Sequence, residues 1–85
     1  MKITVHLGEP LWRAVQQRYV ELELPAGALV ANALEALTRR YPTLVREMED
    51  QEVPWVCFVG DDQAERASPL SEGATLHLLW PLSGG

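Results

Sequence analysis

The residues best placed to do chemistry are Pro81-Leu82-Ser83-Gly84-Gly85, which follow the apolar run Ala74-Thr75-Leu76-His77-Leu78-Leu79-Trp80. Two residues without side chains can lie in a channel that any Cβ would block, and they tolerate backbone conformations closed to other residues. A projecting Gly-Gly carboxylate therefore suits a protein whose own carboxylate is the substrate of a partner. The segment from Pro81 to Gly85 spans at most ~16–18 Å when extended, enough to reach a buried active site. Pro81 restricts the chain where it leaves the fold, so less entropy is lost on insertion. Leu82 is expected to dock in a partner groove, and Ser83 is a small polar spacer with no catalytic role. Trp80, beside the tail, is expected at the same interface.

Other groups offer less. Cys57 lies mid-strand between Val56 and Phe58 and reads as a small hydrophobe rather than a sulfur-transfer thiol. One cysteine excludes an internal disulfide and any cysteine-rich metal site. His6 and His77 fall in different predicted strands with no carboxylate pair nearby, which is poor material for a metal or acid–base site. His77 alternates with Leu76 and Leu78 and is expected to cap a sheet face. Trp55 is a strand aromatic suited to core or interface. Glu47, Glu49, Asp50 and Glu52 read as a solvated acidic face. No nucleophile–base pair, phosphate loop or metal cluster can be assembled, so catalysis by the chain alone is not expected and no bound cofactor or metal is implied.

The elements that must position the tail follow from periodicity. Ile3, Val5 and Leu7 alternate with Thr4 and His6, and Val20, Leu22 and Leu24 alternate with Tyr19, Glu21 and Glu23. These are two strands, each with one buried and one wet face. Leu11 to Gln17 is a helical turn or an irregular connection, with Trp12 tucked against it. From Ala28 the period lengthens. Val30, Leu34, Leu37 and Tyr41 share one helical stripe, Ala33 and Ala36 permit close approach to a sheet, and Pro42 stops the helix. Arg39 and Arg40 suit the negative end of its dipole.

Thr43 to Glu52 is a short helical turn or loop. Val53 to Val59 is a third strand, closed by the turn residues Gly60-Asp61-Asp62. Gln63 to Ser68 is polar, Pro69-Leu70 supplies a core anchor, and Ser71-Glu72-Gly73 turns into the last strand. One helix and four to five strands in the order β-β-α-β-β make an α+β, ubiquitin-like β-grasp. Its mixed sheet packs on one main helix, with the last strand central. The expected division is a domain over residues 1–80 and a flexible tail over 81–85.

Composition agrees. The 85 residues suffice for one modest core, burying about 60–65% of the unfolded surface. A net charge of −5 argues against a nucleic-acid partner. No apolar run approaches the ~20 residues of a spanning helix, so no membrane association is expected. Met1-Lys2-Ile3-Thr4-Val5 reads as a strand rather than a secretion signal, and a cytoplasmic location is expected.

With these residues in view, the chain resembles the MoaD family, the small subunit of molybdopterin synthase, within the ubiquitin-like sulfur carriers (MoaD/ThiS). The carriers of the resemblance are Leu34-Glu35-Ala36-Leu37-Thr38-Arg39-Arg40-Tyr41-Pro42, the turn Pro69-Leu70-Ser71-Glu72-Gly73, and Leu78-Leu79-Trp80-Pro81-Leu82-Ser83-Gly84-Gly85. It spans essentially the whole chain. Phe58-Val59-Gly60 stands where the family often has Asn-Gly, and Leu7-Gly8-Glu9-Pro10 replaces its usual phenylalanine-containing segment.

The resemblance implies that an E1-like enzyme of the MoeB/ThiF type uses ATP to adenylate Gly85, with Gly84 threading beside it. Sulfur then displaces AMP to leave a thiocarboxylate. In the molybdenum pathway that sulfur passes to a pterin precursor inside the large, MoaE-type subunit. Carriers for tRNA thiolation, cysteine or thiamine synthesis, a protein modifier joined through Gly85, and a β-grasp interaction module without tail chemistry remain open beside it.

Overall fold

A computed structural model describes residues 1–9, 11–49 and 56–79, apart from the side chains of Glu47 and Glu49. Three helices and five strands follow one another among these residues: β1 (Lys2–Leu7), α1 (Leu11–Val15), β2 (Tyr19–Glu23), α2 (Val30–Arg40), α3 (Thr43–Glu49), β3 (Val56–Val59), β4 (Asp62–Ala64) and β5 (Thr75–Leu79). The strands form one mixed sheet in the order β2-β1-β5-β3-β4. β1 pairs antiparallel with β2, placing Val5 opposite Val20. It pairs parallel with β5, placing Val5 opposite Leu76. β5 is antiparallel to β3 on its other side, so the last strand lies at the sheet centre as the β-grasp expectation requires.

Register is set by burial. Ile3, Val5, Leu7, Val20, Leu22, Leu76 and Leu78 are all sealed on one sheet face. A slip by one residue would turn that whole set to water. Val30, Ala33, Leu34 and Leu37 of α2 close over the same cluster, together with Leu11, Leu24, Ala28, Leu44 and Leu70. Each fully buried leucine or valine contributes roughly 1.5–3 kcal/mol of transfer free energy. Among the described residues no polar or charged side chain is buried.

The start of α2 is held by tertiary contacts. Its N-cap residue is Leu29, which has no side-chain acceptor to offer. The amides of Val30 and Ala31 instead donate to the carbonyls of Ser68 and Arg66, both at 2.9 Å. Asn32 Oδ1 accepts from the Leu29 amide at 2.8 Å. The helix orphan donors that a capping side chain would ordinarily satisfy are thus met by the 66–68 loop. At the other end the Tyr41 amide donates to the Leu37 carbonyl, before Pro42. Arg40 reaches sideways and donates to the Glu21 carbonyl at 2.9 Å, tying the helix end to β2.

Two open alternatives are resolved as helix, and one strand was not expected. Leu11–Val15 forms a true short helix. Thr43–Glu49 is helical because Leu44 is fully buried and draws the segment down. Asp62–Ala64, read as polar connection, is an edge strand paired with β3 across the two-residue loop Gly60-Asp61. Its outward residues are polar, so periodicity gave no sign of it. The expected residues 53–55 of the third strand, with Trp55, and Trp80 at the end of the last one lie outside the described residues.

Candidate functional site

The expected reactive tail, Pro81, Leu82, Ser83, Gly84 and Gly85, lies outside the described residues, as does Trp80. The structure does describe the platform from which they follow. β5 and β1 are parallel, so both strands finish at the same end of the sheet. There the Gly8 amide donates to the Leu78 carbonyl at 2.9 Å, extending the ladder one step beyond β1. A Cβ on Gly8 would stand 3.1 Å from that carbonyl oxygen and 3.2 Å from Leu79 Cδ2. Glycine at this position lets the β1–α1 corner close against the last residues of β5. The segment often occupied by phenylalanine in the resembled family is here a close backbone crossing.

The turn before β5 fixes the strand's other end. Leu70 anchors it in the core. The Gly73 amide donates to the Lys2 carbonyl at 2.8 Å, and the Ala74 amide to the Ser71 carbonyl at 3.0 Å. Gly73 has φ of +79°, the left-handed region in which a side chain is strained. The Leu-x-x-Gly turn quoted from the sequence therefore sets the register in which β5 enters the sheet.

Charge gathers near the end where β1 finishes, although the chain as a whole is acidic. Trp12 on α1 is flanked by Arg18 and Arg13, whose guanidinium carbons lie 4.6 and 5.5 Å from its ring centroid. Arg13 also donates to Glu9 at 3.1 Å. That hydrogen bond, with the charge of Arg13, holds the Glu9 carboxyl below its ordinary range. Sequence reading placed Trp12 under the connection but did not foresee the two guanidinia. The Leu7 amide donating to the Arg18 carbonyl is what brings them to one end.

The open sheet face carries a row across four strands. Tyr19 is opposite His6, His6 opposite His77, and His77 opposite Phe58. His6 and Tyr19 rings stack at 4.9 Å, and the His6 and His77 rings stand edge to face at 5.1 Å. The two Nδ1 atoms are 3.0 Å apart. Partial burial, then the neighbouring His77 and the Arg18 charge, lower the pKa of His6. His77 does face the outer side of the sheet, as expected. Its contact with His6 was not foreseen, because alternation fixes the face of each residue but not which strands become neighbours.

Cys57 is half-buried against the core. Burial pushes its thiol pKa up, only partly opposed by Arg66. Thiolate chemistry needs the reverse shift, so the surroundings of Cys57 do not activate it as a nucleophile. Among the described residues no group of three or more His, Cys, Asp or Glu side chains gathers as a metal cluster.

This architecture defines a ubiquitin-like β-grasp of MoaD-like build. No protein-family model and no curated protein matches the sequence. Solved structures do. SAMP1 from Haloferax volcanii superposes with a TM-score of 0.86 at 25% identity, covering the whole of both chains. A protein assigned as subunit 1 of molybdopterin converting factor from Pyrococcus furiosus gives 0.82 at 22% identity, over 96% of this chain and 99% of that one. A complex of subunits 1 and 2 of molybdopterin-converting factor from Helicobacter pylori 26695 contains a match at 0.64 and 19%, again over both whole chains. The resemblance seen in the sequence is thus met in three dimensions, and at these identities the likeness is one of fold.

Proposed function

We propose that the chain is a sulfur carrier activated at Gly85 and acting in the cytoplasm. The Gly85 carboxylate attacks the α-phosphate of ATP on an E1-like partner, forming an acyl adenylate and releasing pyrophosphate. Hydrosulfide then displaces AMP and leaves a thiocarboxylate. Gly84 threads the partner's channel, while Trp80, Pro81, Leu82 and Ser83 make the approach. The observation that supports this most is the central placement of β5, parallel to β1, in a fold that superposes on a subunit 1 structure, with the tail to Gly85 following that strand in sequence.

The neighbouring structure of a subunit 1 with its subunit 2 favours a large-subunit partner of the MoaE type. In that reading the thiocarboxylate donates its sulfur to a pterin precursor during molybdopterin synthesis. The SAMP1 likeness favours a second use of the same activated carbonyl, in which a lysine amine displaces AMP to give an isopeptide bond.

Intact-mass spectrometry tests the proposal. The protein is incubated with an E1-like enzyme, ATP and a sulfide donor. Replacement of one oxygen by sulfur, lost when Gly85 is deleted, is the expected result. An unchanged mass with every activating enzyme of this type tried would refute it. Transfer to a pterin precursor with a MoaE-type subunit, or conjugates linked through Gly85, separates the two uses.

A further inference from the structure

The His6–His77 pair on the open sheet face has no part in the proposed carrier chemistry, and its two hydrogen-bonded Nδ1 atoms lie close enough to reach one ion. The two imidazoles come from parallel neighbouring strands, 71 residues apart in sequence, with Nδ1 atoms 3.0 Å apart. Metal–imidazole bonds are about 2.0–2.1 Å, so two nitrogens this close can share one ion once the rings turn toward it. For a nitrogen site the affinity order of the divalent first-row ions peaks at Cu(II).

From this geometry we infer that His6 and His77 form a two-histidine site for a divalent late transition ion, Cu(II) most strongly. Water fills the remaining positions. In the metal-free pair one Nδ1 carries the proton that the other accepts. Binding moves that proton to Nε2 of the same ring, leaving a lone pair on each Nδ1 for the ion. Each ring turns about its Cβ–Cγ bond to aim at the common point, a soft torsion.

Surroundings favour the site on balance. Tyr19 is stacked on His6, and Phe58 is opposite His77 in the sheet register, so each ring has an aromatic neighbour. The chain's net charge of −5 attracts cations. Arg18 is the opposing charge nearest His6, and its guanidinium is turned onto the Trp12 ring. Glu21, further along the same face, is engaged 3.7 Å from Lys2.

The test uses the full chain without an affinity tag, titrated with Cu(II) in a non-chelating buffer. One equivalent should bind, and electron paramagnetic resonance should show coupling to two imidazole nitrogens. His6→Ala and His77→Ala should each weaken binding by about tenfold or more and remove the two-nitrogen signature. A measurement on the unaltered protein removes any dependence on variant folding: substoichiometric Cu(II) should broaden the His6 and His77 ring resonances before any others. Binding of equal strength in both variants, or broadening that leaves these two rings sharp, would overturn the site.

Discussion

Two glycines at opposite ends of β5 are needed for opposite reasons, and the same substitution separates them. Gly73 lies at φ +79° with nothing within 4 Å of an added Cβ. Gly8 has no left-handed backbone, but its Cβ would meet the Leu78 carbonyl at 3.1 Å. For Gly73→Ala the cost is conformational, about 1–2 kcal/mol for an L-residue in the left-handed region. Alanine also narrows the unfolded ensemble, which returns about 0.4–1 kcal/mol. The net loss is up to about 1.6 kcal/mol, with a central value of about 0.8 kcal/mol. For Gly8→Ala the cost is overpacking against a strand backbone, about 1–3 kcal/mol, with the same partial return.

Alanine alone does not distinguish the mechanisms, but asparagine does. It tolerates the left-handed region, so Gly73→Asn should recover much of the alanine loss. At Gly8 the larger side chain meets the same wall and should be worse than alanine. Urea unfolding followed by tryptophan fluorescence gives the ranking. With a slope of about 1 kcal/mol per molar urea, Gly73→Ala should lower the midpoint by about 0.8 M. The reasoning fails if asparagine is no better than alanine at position 73, or better than alanine at position 8.

Further outcomes follow from particular groups. Gln16 holds φ +60° at the end of α1, where the Gln17 amide donates to the Trp12 carbonyl at 3.2 Å, an arrangement usually built with glycine. Gln16→Gly should therefore stabilise the fold by about 0.5–1 kcal/mol in the same urea assay, the relieved strain exceeding the added chain entropy. His6, faced by His77, Arg18 and the Tyr19 ring, has its folded pKa below the 6.5 of the unfolded chain. The unfolded state then binds more protons between the two values. Its contribution to stability is complete above pH 6.5 and is lost as pH falls through the folded pKa. The urea midpoint measured from pH 8 to 5 should fall less steeply in His6→Gln; an identical slope would contradict the assignment. Cys57, with its pKa raised by burial, should react with iodoacetamide more slowly at pH 8 than an unfolded-state control. Equal rates would place the thiol in water.

The proposed reactive end could be read because its signal is local: a proline and two glycines following an apolar strand need no tertiary context to be noticed. The basic cluster at Trp12 and the pairing of His6 with His77 were not. Alternation assigns Thr4 and His6 to one face of β1, and Thr75 and His77 to one face of β5. Which rows meet depends on strand order and register across 71 intervening residues. Polar β4 escaped for a related reason, since pairing with β3 rather than burial makes it a strand.

The sequence by itself determined the α2 stripe of Val30, Leu34 and Leu37, its stop at Pro42, and the two alternating strands that open the fold. These follow from periods of 3.6 and 2 that local backbone geometry imposes. Only the tertiary structure decided where α2 begins, because Leu29 cannot cap it and the carbonyls of Arg66 and Ser68 do. It also decided that β5 lies between β1 and β3, with Gly8 closed against Leu78 where the strand ends. Those contacts join residues far apart in the chain, and they form only when the shared apolar face is buried.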